Sequence, residues 1–124
     1  MTYRIISTWS APHEHLTEEF EEYYNTVHAP YAARIPGMLK LITQRTSDPF
    51  EENPSSFYRV AELWFESREA LIAATRTTEW AEMRNDGRYV HEKFGAVLET
   101  GLGELVDWEL QPGGPIPGEG TPVR

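Results

Sequence analysis

Two periodicities alternate along this chain. Residues 3–11 mix β-branched and aromatic side chains and stop at Ala11-Pro12, which predicts a first strand. The spacing then changes: Leu16, Phe20, Tyr23, Tyr24, Val27 and Tyr31 recur at helical intervals, with Glu18, Glu21 and Glu22 on the outward side. This predicts an amphipathic helix capped by Thr17, with Glu18 and Glu19 at its positive dipole end, running to about His28. Pro36-Gly37 turns the chain into a second strand, Met38 to Thr46, and 47–56, with two prolines and little apolar content, reads as a loop. A third strand is expected over Phe57 to Phe65. Ser67 then caps a second helix, with breaks expected at Thr77-Thr78 and Asn85-Asp86-Gly87 and a last helical piece over Tyr89 to Thr100. A fourth strand, Glu104 to Leu110, is expected where Val106, Trp108 and Leu110 alternate with Asp107 and Glu109.

The order β-α-β-β-α-β is the split βαβ arrangement of a ferredoxin-like α+β domain, a sheet with helices on one face. Ala61, Leu63 and Phe65, with Val106, Trp108 and Leu110, form purely apolar sets suited to the helix side. The other face then carries Tyr58, Val60, Glu62 and Trp64 beside Leu105, Asp107 and Glu109. Two helices cover one face, so this second face calls for another cover, which a second copy of the chain would supply. The expectation is a homodimer of domains spanning 1–111. Residues 112–124 form a tail: the stretch from Gln111 to Arg124 holds four Pro and four Gly, too little apolar mass to order itself, and reads as a loose end or an arm laid over a partner.

Composition narrows the function classes. At 124 residues the chain suits one domain with a modest core. A quarter of the residues are charged and no apolar run approaches the ~20 residues needed to cross a bilayer. The N-terminal Met1-Thr2-Tyr3-Arg4-Ile5-Ile6 is too short an apolar run for a signal peptide, so a cytoplasmic location is expected. The absence of cysteine removes disulfides, thiolate ligands and a Cys nucleophile. A net charge of −9 argues against nucleic acid and anionic membranes as partners. No Gly-rich phosphate loop, Gly-x-Ser-x-Gly elbow, His-Glu-x-x-His or nucleotide fingerprint is present, and no cofactor is expected.

The residue best placed for chemistry is His28, four after Tyr24 and eight after Phe20, near the apolar stripe of its helix. An imidazole there suits general acid or base work; its competing reading is a helix-terminal residue held by the dipole and a backbone hydrogen bond. Glu62 interrupts an apolar strand and would pair with His28 or hold a substrate hydroxyl, or else stand as a solvated strand carboxylate or form a dimer salt bridge to an Arg such as Arg59. Asp107 is a second orienting carboxylate. Tyr24, Tyr31, Tyr58 and Trp64 are expected to wall a pocket for a hydrophobic small molecule. His13-Glu14-His15 has alternate spacing but follows Pro12, precedes a helix cap and lacks a third ligand, so no metal site is expected.

Two stretches carry a family resemblance. They are Thr26-Val27-His28-Ala29-Pro30-Tyr31-Ala32-Ala33-Arg34-Ile35-Pro36-Gly37-Met38 and Ala61-Glu62-Leu63-Trp64-Phe65-Glu66-Ser67-Arg68-Glu69-Ala70-Leu71. In that order and spacing they resemble the EthD-like family of the dimeric α+β barrel superfamily. The resemblance implies a ferredoxin-like dimeric barrel with His28 in a functional context. The chemistry expected is cofactor-independent cyclisation, dehydration, isomerisation or oxygenation of an aromatic or polyketide-like compound; on the reading of the residues, His28 would move the proton and Glu62 or Asp107 would orient it. The alternative the resemblance implies is a non-catalytic binding or accessory protein of an oxygenase or degradation pathway.

Overall fold

The computed structural model describes residues 2–118. Four strands, β1 (Tyr3–Trp9), β2 (Met38–Arg45), β3 (Arg59–Phe65) and β4 (Leu98–Glu104), form one antiparallel sheet in the order β2-β3-β1-β4. Tyr3 lies opposite Phe65 and Glu104, and Trp9 opposite Arg59 and Leu98. Ile5, Ala61, Leu63 and Phe65 consequently share the face that the helices cover, as the alternation in strand three requires. This is the ferredoxin-like α+β arrangement expected from the hydrophobic pattern.

The first helical stretch differs from its sequence pattern. A short 3-10 turn, Glu14–Leu16, leads into α1 (Thr17–Tyr23), so Thr17 lies inside the helical run and not at a cap. The chain then passes through a π-helical turn, Tyr24–His28, and continues as α2, Ala29–Ala33. His28 therefore sits inside a continuous helical run and not at its end. Pro30 has no N–H and its ring crowds the carbonyl four residues back, which signals a helix end in a sequence. Here Pro30 occupies the first turn of a new α-helix, where its N–H is not needed, and the wider π turn absorbs the mismatch. Asn25 and Thr26 side chains donate to the Glu21 and Glu22 carbonyls at 2.8 and 2.7 Å, supplementing the loosened ladder.

Ser67 caps α3 (Arg68–Ala74) by accepting from the Ala70 amide, and Thr77 caps α4 (Thr78–Phe94) through the Trp80 amide. The break near Thr77-Thr78 is real. The one expected at Asn85-Asp86-Gly87 is not, because α4 runs through it uninterrupted. Val90 and Phe94 on one side and Trp80 and Met83 on the other anchor this helix to the core, and packing overrides the weak propensity of the Asn-Asp-Gly triplet. The helix stops at Gly95, whose φ of +76° only glycine adopts readily.

Strand four is displaced from its expected place. It begins at Leu98 instead of Glu104, and residues 106–118 carry no helix or strand and are exposed, Trp108 and Leu110 at 82% each. The antiparallel ladder explains this: β4 pairs with β1 from Trp9 back to Tyr3, and past Glu104 only the Thr2 carbonyl remains, which the Leu105 amide takes at 3.0 Å. The apolar alternation of Val106, Trp108 and Leu110 therefore lies beyond the sheet and does not face the helices. The tail expected over 112–124 is described only to residue 118; 119–124 lie outside the described residues. No helix among the described residues is long and apolar enough to cross a membrane.

Two buried clusters fill the space between helices and sheet. Ile5, Ile35, Leu63, Phe65 and Leu71 form one, and Trp9, Phe20, Tyr24, Val90 and Phe94 the other. Phe20, Phe65 and Phe94 are fully enclosed, each stabilising the fold by roughly 1.5–3 kcal/mol. Between the clusters the packing is incomplete, and a cavity remains.

Candidate functional site

The cavity holds about 330 Å³ and lies on the helix side of the sheet. Its floor is Leu41 and Thr43 of β2, Ala61 and Leu63 of β3, Ile5, Ser7 and Trp9 of β1, and Leu98, Thr100 and Leu102 of β4. Its roof is Tyr24 and His28 of the π turn, Ala29 and Ala32 of α2, and Trp80, Met83, Arg84 and Gly87 of α4. The walls are mainly apolar, with Ala61 and Gly87 leaving room that larger side chains would fill. Such a volume is at the small end of the ~300–1,000 Å³ range of small-molecule sites.

His28, 6% exposed, is a buried titratable side chain of the cavity roof. Its Nδ1 lies 2.8 Å from Asp86 Oδ2, and Tyr23 donates its hydroxyl to Asp86 Oδ1 at 2.5 Å. A carboxylate accepts and does not donate, so the imidazole proton lies on Nδ1 in this bond and the Nε2 lone pair is left free. No enclosed side-chain N or O lacks a hydrogen-bond partner and Nε2 makes no hydrogen bond among the described residues, so Nε2 is not enclosed, and the open space that His28 lines is the cavity. The ring is fixed from several sides: its edge meets the Trp9 ring at 5.6 Å and 86°, and Tyr24 lies 5.5 Å away. A Cβ at Gly87 would stand 3.7 Å from His28 Cε1, so α4 passes directly against the imidazole. The Asp86 carboxylate in turn pushes the Tyr23 phenol pKa far up, after burial, which is the larger cause.

A second cluster adjoins it. Arg59 is 5% exposed, donates to Glu21 through Nε at 3.2 Å and through its terminal nitrogen, and lies 4.2 Å over the Tyr24 ring. Tyr58 donates to the same carboxylate at 2.8 Å. Burial pushes Glu21 up, but the hydrogen bonds and charges of Arg59, Tyr58 and Arg45 outweigh it and hold the carboxyl below its usual range. Burial and the Glu21 bond push the Tyr58 phenol up to about 12. Glu21 is thus not on the solvated helix face where its spacing placed it.

The sequence-derived site residues divide as follows. His28 and Tyr24 line the cavity. Glu62 and Trp64 lie on the opposite face of the sheet, where Glu62 accepts from Arg4 and from Trp64 Nε1, each at 3.0 Å, so no Glu62–His28 pair forms. Within the chain Glu62 pairs with Arg4, and Arg59 pairs with Glu21. Tyr58 packs on Phe20 outside the cavity lining, Tyr31 is half-buried on α2 outside it, and Asp107 is exposed in the segment after β4. His13 and His15 stack on one another at 6.0 Å, and no group of three or more His, Cys, Asp or Glu side chains among the described residues is placed to hold a metal ion.

Sequence reasoning missed Asp86, Tyr23 and Arg59 in these roles. One signal was available: Trp80, Met83, Asp86, Val90 and Phe94 follow helical spacing, and a carboxylate on an apolar stripe asks for a buried partner.

Comparison with known proteins bears on the family and the fold. The EthD domain family matches residues 13–91, a span that contains His28 and Asp86. An uncharacterised 11.0 kDa protein from the thcB-thcC intergenic region of Rhodococcus erythropolis is 30% identical over 66 residues, 53% of this chain. The chain spans 61% of that relative's length. The crystal structure of an ethyl tert-butyl ether D (EthD) family protein from Bacillus halodurans superposes with a TM-score of 0.70 at 26% identity, covering 86% of this chain and 100% of the other. SnoaB, a cofactor-independent oxygenase from Streptomyces nogalater, shares the fold at a TM-score of 0.60 and 17% identity, covering 86% of this chain and 95% of its own. With the family matched across most of the chain, and the fold matched at full length by one of its members, this protein belongs to the EthD domain family.

Proposed function

We propose that this protein is a cofactor-independent acid/base enzyme acting on a hydrophobic ring compound of aromatic or polyketide-like character, with His28 as the proton-transferring residue. One observation carries the reading: a buried imidazole bonded through Nδ1 to Asp86 turns its free nitrogen to a mainly apolar cavity. Asp86 fixes the tautomer and stabilises the imidazolium formed when Nε2 takes a proton, and Tyr23 holds Asp86 in place. Trp9, Trp80 and the apolar floor hold a flat substrate against the base and exclude water from it. Cyclisation, dehydration, isomerisation and oxygenation of an ionised phenolic ring all begin with such a proton transfer, and SnoaB, of the same fold, is a cofactor-independent oxygenase.

The partner proposed is a second copy of the chain, on the sheet face away from the cavity. Arg4, Glu62 and Trp64 form a bonded group there beside Lys40, which stacks on Trp64 at 4.8 Å, and Ile42, 40% exposed. No helix among the described residues covers this face. Light scattering should give twice the 14.2 kDa chain mass, and a monomer at micromolar concentration removes the dimer.

The test of the chemistry is turnover of hydroxylated aromatic and polyketide-like compounds, without added cofactor, by wild-type protein and His28→Ala. The variant should retain ligand affinity within a few-fold and lose about 100-fold in turnover, the scale of a missing general base. Equal turnover in the variant would remove His28 from the mechanism. Compounds that bind and are recovered unchanged from the wild type would instead leave a binding protein.

A further inference from the structure

The cavity contains a second functional atom, opposite in character to His28 Nε2. Tyr24 is 2% exposed, yet its hydroxyl makes no hydrogen bond among the described residues. An unpartnered hydroxyl on so buried a side chain is costly unless it reaches open space. Among the described residues no enclosed side-chain oxygen lacks a partner, so this hydroxyl does reach space, and the space that Tyr24 borders is the cavity. Its ring is held from both sides, by the Arg59 guanidinium 4.2 Å from its centroid and by Phe20 at 5.7 Å, and lies 5.5 Å from the His28 ring. Burial raises the phenol's pKa and the Arg59 charge opposes that only in part, so the group remains an O–H donor at neutral pH. The cavity therefore presents a proton acceptor and a preorganised proton donor, on the first and last residues of one π turn.

We propose that Tyr24 is the oxyanion-binding residue of the site, and that the substrate is a ring ketone whose carbonyl oxygen lies at Tyr24 with its acidic α C–H at His28. The proposal rests on the reading of His28 as the base. In the step it describes, the C–H bond breaks and its proton passes to Nε2. The electron pair forms the C–C double bond of an enolate, the carbonyl π pair moves to oxygen, and that oxygen accepts the Tyr24 O–H hydrogen bond. Where the ketone carries a β,γ double bond, the enolate pair returns to the carbonyl, the double bond shifts, and the γ carbon takes the proton from His28 to give the conjugated isomer; where a second carbonyl is in reach, the α carbon attacks it and His28 gives its proton to the oxygen formed there, closing a ring. A donor aimed at the developing charge acts most strongly in a cavity with few competing waters. Hydrocarbons without such an oxygen would fill the cavity and not react.

The test uses binding and needs no turnover, so it stands apart from the His28→Ala experiment. The probes are 2-naphthol, which places a phenolic oxygen where the enolate would form, and naphthalene, which lacks it. Wild-type protein should bind 2-naphthol about tenfold more tightly than naphthalene, the scale of one buried hydrogen bond. Tyr24→Phe keeps the ring beneath Arg59 and should bring the two affinities together, while Tyr3→Phe, outside the cavity lining and outside the Glu21–Arg59 group, should keep the preference. Wild-type protein labelled with 3-fluorotyrosine gives the same reading without substitution: 2-naphthol should move a tyrosine 19F resonance that naphthalene leaves in place. No preference in the wild type, a preference that survives in Tyr24→Phe, or 19F spectra that respond alike to both probes would each overturn the assignment. If the preference behaves as expected while His28→Ala turns over normally, Tyr24 holds the oxygen and the base lies elsewhere.

Discussion

The two buried hydrogen-bonded clusters on the first helical run have the same ingredients and differ in closure. In one, Arg59 and Tyr58 both donate to Glu21, and the group is satisfied within the protein. In the other, Tyr23 and His28 both donate to Asp86, but His28 retains a lone pair that no protein atom takes. Each contains a carboxylate with a phenol and a nitrogen donor, so burial and pairing alone do not distinguish structure from chemistry. The distinguishing feature is the atom left open on a cavity. Glu21–Arg59 reads as a clamp that positions Tyr24, and Asp86–His28 as the reacting pair.

Breaking the clamp should have the largest effect. Arg59→Ala leaves the Glu21 carboxylate without its ion partner and strips the cation from Tyr24, a loss of about 3–5 kcal/mol by the usual scale for breaking a buried pair. Urea unfolding measures it, and a change below about 1 kcal/mol would place the pair with solvent-exposed bridges instead. Next is Asp86→Asn. The Asn amide can present N–H to His28 and shift the ring proton to Nε2, so turnover should fall about 100-fold while Tyr23 still finds an oxygen to donate to. If the variant unfolds more easily but turns over at the normal rate, the second cluster is as structural as the first.

The smallest effect expected is a pH dependence confined to the clamp. Glu21 titrates below its ordinary value of 4.5, so its contribution to stability is present above that value and is lost as pH falls through the depressed one. Tyr58 titrates at about 12 against an ordinary 10.0, so its contribution is complete below pH 10 and disappears as pH rises toward 12. Thermal melts across these windows should show a shallower acid limb for Glu21→Gln and a shallower alkaline limb for Tyr58→Phe. Limbs unchanged by either substitution would mean that other groups govern both.

Much of the fold was legible because burial imposes a period. The alternation in Arg59–Phe65 put 61, 63 and 65 on the helix side, and Ser67 announced α3 through the hydrogen bond its hydroxyl makes. The misread elements share one cause, local signals that distant partners override. Leu98–Glu104, with two glycines, is a poor strand by propensity and becomes one because β1 lies beside it, whereas Val106 to Leu110 has the better pattern and no strand to pair with.

The candidate site was legible only in part. His28 and Tyr24 stood out because an apolar stripe carried them toward the core. Glu62 had the right chemistry on the wrong face: strand parity turns it away from 61 and 63, toward Arg4. The sequence by itself determined the layers, the helix-facing side of β3 and the histidine, since each follows from a period of two or 3.6 residues. The tertiary structure alone decided that Asp86, 58 positions along the chain, meets His28, and that the two clusters leave a cavity between them. Contacts at that separation depend on how α4 crosses the π turn, which no local spacing records.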